Sequence, residues 1–283
     1  MSYLADLFPP ANARSWDYPD FIYGQMSGTQ MQRYTTDDLY TSSCPATLGT
    51  NILSSPVVLD ARFLGVHTQT ANAQKISNGL TRSHDMAPRW NKMHTANGVF
   101  VDAGMGAWLD AQKAAGNQVI YTLFGTPTWA SARPTEAGDP YNTLGAIAEP
   151  SSMSHLSAFV SWLMATYGDR IDYLEVWNEP KYMVGSSSYF SGTPAKLAEM
   201  AKTINQAAKA VKPSITIMGV GATGIDQNGD SGPGAGYTQS FLTATDGGSG
   251  FGRDWIDVLS VHTYVHDNLN TITRVANMQT HLA

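Results

Sequence analysis

From Arg62 onward, apolar runs of strand length alternate with longer stretches whose apolar positions recur every three or four residues. Strands interleaved with helices predict a parallel α/β architecture. Short runs over 63–66 and 79–82 come first, ending at His67 and at His84-Asp85. Met105, Trp108 and Leu109 then mark one side of a helix over 102–115, with Gly116 at its C-terminal stop. A strand over 118–124 is closed by Gly125-Thr126-Pro127, and beyond a polar loop Leu156, Phe159, Val160 and Leu163 predict a helix over 154–167. The strand 171–177 runs straight into Asn178-Glu179-Pro180. Thr193 as cap and Pro194 in the first position open a helix that Pro213 ends. A strand over 215–220, a Gly-rich loop over 221–236, a short helix over 238–245, a strand over 256–261 and a helical pattern over 269–283 complete the order.

About six strand-helix units are therefore predicted, with polar and ionisable residues gathered just after the strand ends. That is the habit of a TIM (β/α)8-type barrel, here with fewer than its eight units. A doubly wound sheet would show a phosphate-cradling Gly pattern after its first strand, which Gly65-Val66-His67 does not supply. Residues 1–60 break the rhythm, being rich in Pro, Tyr, Ser and Thr and lacking Glu, and read as an N-terminal extension or cap on a barrel spanning 61–283.

Composition narrows the partners. Charged residues make up 14% of the 283, and the net charge is -6 with no dense basic cluster, which argues against nucleic acid. No apolar stretch approaches the roughly 20 residues of a membrane span. The single cysteine, Cys44, allows no intrachain disulfide. The N-terminus lacks the basic and apolar regions of a secretory signal, and the compartment is left open. Seven histidines form no His-x-His pair and no helical His-Glu-x-x-His, so neither a metal nor another cofactor is expected.

The most specific signal is Tyr173-Leu174-Glu175-Val176-Trp177-Asn178-Glu179-Pro180. By period two, Leu174 and Val176 face one way and Tyr173, Glu175 and Trp177 the other, which brings Glu179 out at the mouth end of a buried strand. Partial desolvation there disfavours the charged form of a carboxyl, as general acid work near neutral pH requires.

This stretch resembles the acid/base strand of glycoside hydrolase clan A, whose families 5 and 39 end their fourth barrel strand in Asn-Glu-Pro. Arg82-Ser83-His84-Asp85 is similar to the second-strand signature, 122–130 to the third, and 257–264 to the sixth, and the order and spacing are most like family 39. The resemblance implies a carbohydrate substrate, Glu179 as general acid and base, and Asn178 bonded to the hydroxyl beside the anomeric carbon. It also implies that Arg82 and Tyr264 steady the nucleophile, that His84 and His262 line the reacting sugar, and that Trp129 and Trp177 offer stacking faces. A plainer role for Arg82 is neutralising a buried Glu175.

The clan takes its nucleophile from the end of strand seven, yet no Glu follows Glu199 in this chain. Glu136 and Glu149, in the loop after strand three, are the remaining candidates, and solvated loop carboxylates are the simpler reading. A barrel lacking its last two units is expected, with a further segment or a second chain completing it. The function read here is a retaining O-glycosidase on a poly- or oligosaccharide, weak or inactive without its nucleophile; the alternative is a non-catalytic carbohydrate-binding barrel.

Overall fold

A computed structural model describes residues 23–27, 30–34, 65–67, 79–84, 88–180, 183–184, 187–222 and 236–262. Two units divide the chain, one of Met1–Asp60 with Val265–Thr271 and the other of Ala61–Tyr264 with Ile272–Ala283. The described part of the first is an antiparallel hairpin, Tyr23–Ser27 against Gln30–Tyr34.

The second unit is built on a six-stranded sheet. Its strands are β1 (Gly65–His67), β2 (Leu80–Arg82), β3 (Gln118–Leu123), β4 (Tyr173–Val176), β5 (Thr216–Ala222) and β6 (Val258–Val261). They lie in chain order, and every neighbouring pair is parallel. A doubly wound sheet reverses order at its switch point, so unbroken order identifies barrel topology. Pairing of β3 with β4 starts at Ile120, and that of β5 with β6 at Met218, each two residues into the earlier strand. Such a climbing stagger is what tilted barrel strands need.

Helices α1 (Met105–Ala114), α2 (Met153–Tyr167), α3 (Pro194–Val211) and α4 (Tyr237–Thr243) connect β2 through β6. Ser152 caps α2 and Thr193 caps α3 through their hydroxyls, each accepting from a backbone N–H of the first turn. The inward stripe of α2, Leu156, Phe159, Val160, Leu163, Met164 and Tyr167, meets Leu197, Met200, Ala201 and Ile204 of α3 in one buried core with Val119, Tyr121, Leu123, Leu174 and Val176. Because these strand residues alternate, their neighbours Thr122 and Glu175 turn to the other face of the sheet. No helix among the described residues is long and apolar enough to cross a membrane.

Two hairpins were not anticipated from the pattern. His94–Ala96 pairs with Val99–Phe100 around Asn97-Gly98, where Gly98 takes φ +72°, and Asn-Gly is the strongest short hairpin signal. Met183–Val184 pairs with Ser187–Ser188 after β4. The predicted helix over 269–283 lies outside the described residues.

Candidate active site

Four strand ends converge on two carboxylates. Glu175, on the inner face of β4, is 1% exposed. Its Oε2 accepts from Arg82 Nε at 2.8 Å and from Thr122 Oγ1 at 2.6 Å, while Oε1 accepts from Ser260 Oγ at 2.6 Å. Burial acts to raise its pKa, but the charges of Arg82 and then His262, with hydrogen bonds from Ser260 and Thr122, outweigh burial and hold the carboxyl below its ordinary range. Glu175 is thus a fixed anion.

Arg82 also donates to Asn178 Oδ1 at 2.8 Å. Since a guanidinium only donates, the amide orientation is forced, and Nδ2 faces the other way. That Nδ2 is buried and meets no acceptor among the described residues. The amide is anchored at one end with a donor to offer at the other.

Glu179, 7% exposed, lies with Oε1 2.7 Å from His262 Nδ1. Either the imidazole N–H donates to the carboxylate or the protonated carboxyl donates to a neutral ring, so the two groups share one proton's position. Trp177 and Glu179 both take positive φ, +67° and +38°. This costly backbone is held by Trp177 N–H donating to Leu123 O at 2.9 Å and Glu179 N–H donating to Gly221 O at 3.0 Å. Gly221 must be small: at φ +59°, a Cβ there would stand 3.2 Å from His262 Nε2 and 3.3 Å from Glu175 Oε1.

Beside this cluster stands an aromatic wall. His84, 4% exposed, has its ring 4.5 Å from Phe124 and 5.2 Å from Tyr189, centroid to centroid. Tyr141 closes the group at 5.8 Å from Phe124, and the Arg89 guanidinium lies over Tyr141 at 3.7 Å.

The structure thus brings Arg82, Asn178, Glu179 and His262 together, with His84 in the adjoining wall. The expected stacking face on Trp177 is corrected. Its indole is fully buried, donates to Tyr189 O at 2.8 Å and packs edge-on against Phe190, leaving no surface for a pyranose. Trp129 is partly exposed, donates to His94 O at 2.9 Å and sits edge-on to His94 and His155. None of its ring contacts is with the carboxylate cluster. Tyr264 lies outside the described residues. Glu136 and Glu149 are both bonded to Arg133, at 3.0 and 2.8 Å, which also donates to Ser191 Oγ at 2.7 Å, so the pair clasps one loop to another.

Thr122, Ser260, Arg89, Tyr141 and Tyr189 went unnoticed in the sequence. For Thr122 and Ser260 there was a signal, a small hydroxyl at inward parity in an apolar strand. The others sit in connections, where no periodicity marks them. Among the described residues, no group of three or more His, Cys, Asp or Glu is arranged to hold a metal ion.

No family model matches the sequence, and no curated protein matches it. Solved structures do. The GH39 enzyme from Xanthomonas axonopodis pv. citri is similar with a TM-score of 0.55 and 16% identity over 79% of this chain and 48% of its own. A monomeric beta-xylosidase from Caulobacter crescentus CB15 gives 0.52 and 16% over 77% and 48%. A GH39 beta-xylosidase from Caulobacter crescentus gives 0.51 and 18% over 77% and 49%. The chain spans about half the length of these structures. The likeness shows the fold: the described sheet and helices have the α/β barrel architecture of these glycoside hydrolases.

Proposed function

We propose that this chain carries the acid/base side of a retaining glycoside hydrolase site acting on a poly- or oligosaccharide, with 1–60 as an extension and 61–283 as the barrel. The observation that carries the reading is Glu179, nearly buried at the C-terminal end of β4, sharing a proton position with His262 at 2.7 Å beside an Asn178 donor that meets no acceptor among the described residues. In this reading Glu179 gives its proton to the glycosidic oxygen as the bond to the anomeric carbon breaks, then takes a proton from the attacking water. Asn178, held by Arg82, donates to the neighbouring hydroxyl, and His262 keeps the Glu179 carboxyl in place.

A retaining site needs a second carboxylate about 5–5.5 Å away. The chain has five glutamates. Glu175 is locked under Arg82, Glu136 and Glu149 are tied to Arg133, and Glu199 pairs with Lys196 on α3. Each of these four is committed to a cation among the described residues. We place the nucleophile on a further segment or a second chain that also covers β6, which among the described residues is an edge of the sheet, with Val258 41% exposed. The same count of committed glutamates favours a second reading, a non-catalytic carbohydrate-binding barrel.

Glu179→Gln in the longest natural polypeptide carrying these residues separates them. On unactivated glycosides turnover should fall by about a thousandfold, and on dinitrophenyl glycosides, whose leaving group needs no proton, far less. Equal turnover by variant and parent on both would remove Glu179 from the mechanism. No turnover by the parent, with sugar bound, would establish the binding-protein reading.

A further inference from the structure

The connection after β3, residues 124–152, is long and polar, yet it is folded tightly on itself. Ser131 Oγ donates to Gly145 O at 2.8 Å, Gly145 N–H to Glu136 O at 2.7 Å and Ala132 N–H to Glu149 O at 3.0 Å. Within it, Arg133 donates from every nitrogen of its guanidinium: Nε to Glu136 Oε2 at 3.0 Å, Nη1 to Glu149 Oε1 at 2.8 Å and Nη2 to Ser191 Oγ at 2.7 Å. Ser191 belongs to the next connection, between β4 and α3. Its hydroxyl donates to Glu136 Oε2 at 2.8 Å and its backbone N–H to Ile147 O at 2.8 Å. Gly192 keeps the approach close, since a Cβ there would stand 2.9 Å from Glu149 Oε2. Burial acts to raise the Glu149 pKa, and the hydrogen bond from Arg133 leads the effects that outweigh it and hold the carboxyl below its ordinary range. A planar fork can serve three acceptors in three directions, which a single ammonium cannot.

What the clasp holds is the aromatic wall. Tyr141 lies in the first connection and Tyr189 two residues before Ser191 in the second, with their ring centres 6.5 Å apart and that of Tyr189 5.2 Å from His84. On its other side the first connection is held by Arg89, whose guanidinium lies over Tyr141. The wall meets the acid site at Tyr189, whose carbonyl accepts from the Trp177 indole, one residue before Asn178. Tyr141 and Tyr189 are each partly exposed, so the wall reaches solvent. A tyrosine offers an apolar ring to the C–H groups of a pyranose and a hydroxyl to its oxygens. Two such rings carried by different connections keep a fixed spacing only if the connections are fastened to each other.

We propose that Arg133 is a positioning residue: by fastening the connections after β3 and β4 together, its planar fork sets Tyr141 and Tyr189 as a preformed subsite for one pyranose unit beside the acid group. Arg133 acts through the two rings and not on the sugar. The proposal rests on the glycoside hydrolase reading and gives that site a specificity element.

The test is a double-mutant cycle on sugar binding by the 283-residue chain. Calorimetry with β-1,4-linked hexasaccharides of xylose, glucose and mannose selects the one bound most tightly, and the cycle is run on it. Tyr189→Leu and Arg133→Met should each weaken binding on the order of tenfold, and the double variant should stay well short of the roughly hundredfold that independent losses give. Arg133→Lys should bind as weakly as Arg133→Met. In the free protein, Arg133→Met should speed hydrogen exchange in 129–149 and 189–192 together and leave β4 unchanged. If Arg133→Met does not fold, Ser191→Ala, which removes the tie between the connections and keeps both Arg133 ion pairs, takes its corner of the cycle with the same criteria. Undiminished binding by either single variant, losses that multiply, full affinity with Lys at 133, or unchanged exchange would each overturn the positioning role while leaving the glycoside hydrolase reading standing. No binding of any sugar by the parent would overturn both.

Discussion

At the N-terminal rim of the sheet two aspartates repeat one arrangement. Asp172, just before β4, accepts from Val119 N–H at 2.7 Å and pairs with Lys113 near the end of α1. Asp257, just before β6, accepts from Ile217 N–H at 2.8 Å and pairs with Lys209 near the end of α3 at 2.7 Å. Each carboxylate closes the bottom of the preceding strand, and each side chain is about a third exposed, 29% and 39%. At the opposite rim Glu175 stands against Arg82 and Glu179 against His262, and their side chains are only 1% and 9% exposed. The same pairing chemistry therefore has different consequences. In water a pair contributes little, because each ion was already solvated; in the buried rim each ion depends on its partner, so geometry is rigid and removal is costly. The lower rim fastens strands, and the upper one holds charge in fixed places, which is the division of labour of barrel enzymes.

The largest effect expected from this contrast follows Glu175→Ala. It leaves the part-buried Arg82 without its anion, at a cost of about 3–5 kcal/mol. Urea unfolding should report that loss, and sugar binding should fall with it. A loss under about 1 kcal/mol would erase the difference between the rims.

Acid sharpens the contrast further, since burial decides what a proton does. His94, buried against Phe100 and Phe159, has its pKa pushed down to about 4 from 6.5 by burial and then by His155. A depressed folded-state pKa means stability that is complete above pH 6.5 and is lost as pH falls toward 4, roughly 2–3 kcal/mol. Glu175, also held low, contributes stability that is present above 4.5 and lost as pH falls further through its folded value. Urea midpoints measured from pH 7 to 4 should decline, and His94→Gln, which keeps an acceptor for the Trp90 indole, should flatten the decline. A parent protein equally stable at both ends would contradict the assignment.

The smallest effects belong to the lower rim. Asp172→Asn or Asp257→Asn should change stability by about 1 kcal/mol or less and leave sugar binding untouched. A loss comparable to that of Glu175→Ala would show the two rims to be energetically alike.

Much of this was legible in the chain. The helix opened by Thr193 and the strand running into Asn178-Glu179 follow from periodicity and end signals. The role of Trp177 did not follow. Strand parity assigned its direction, but Phe190 and the Tyr189 carbonyl, both brought in by the connection after β4, decided that it would be buried. The Arg133 clasp on Glu136 and Glu149 was equally hidden, because its third partner, Ser191, lies 58 residues away.

Spacing along the backbone determined, without any coordinates, the six sheet strands and the helices between β2 and β6 and that a glutamate would stand at the end of β4, because those properties depend on neighbours a few residues apart. Only the folded sheet decided what that glutamate and its companions touch. His262 reaches Glu179 across 83 residues, and Ser260 reaches Glu175 across 85. Burial, and with it the protonation and rigidity of each group, exists only once β4 through β6 have closed side by side and shut water out.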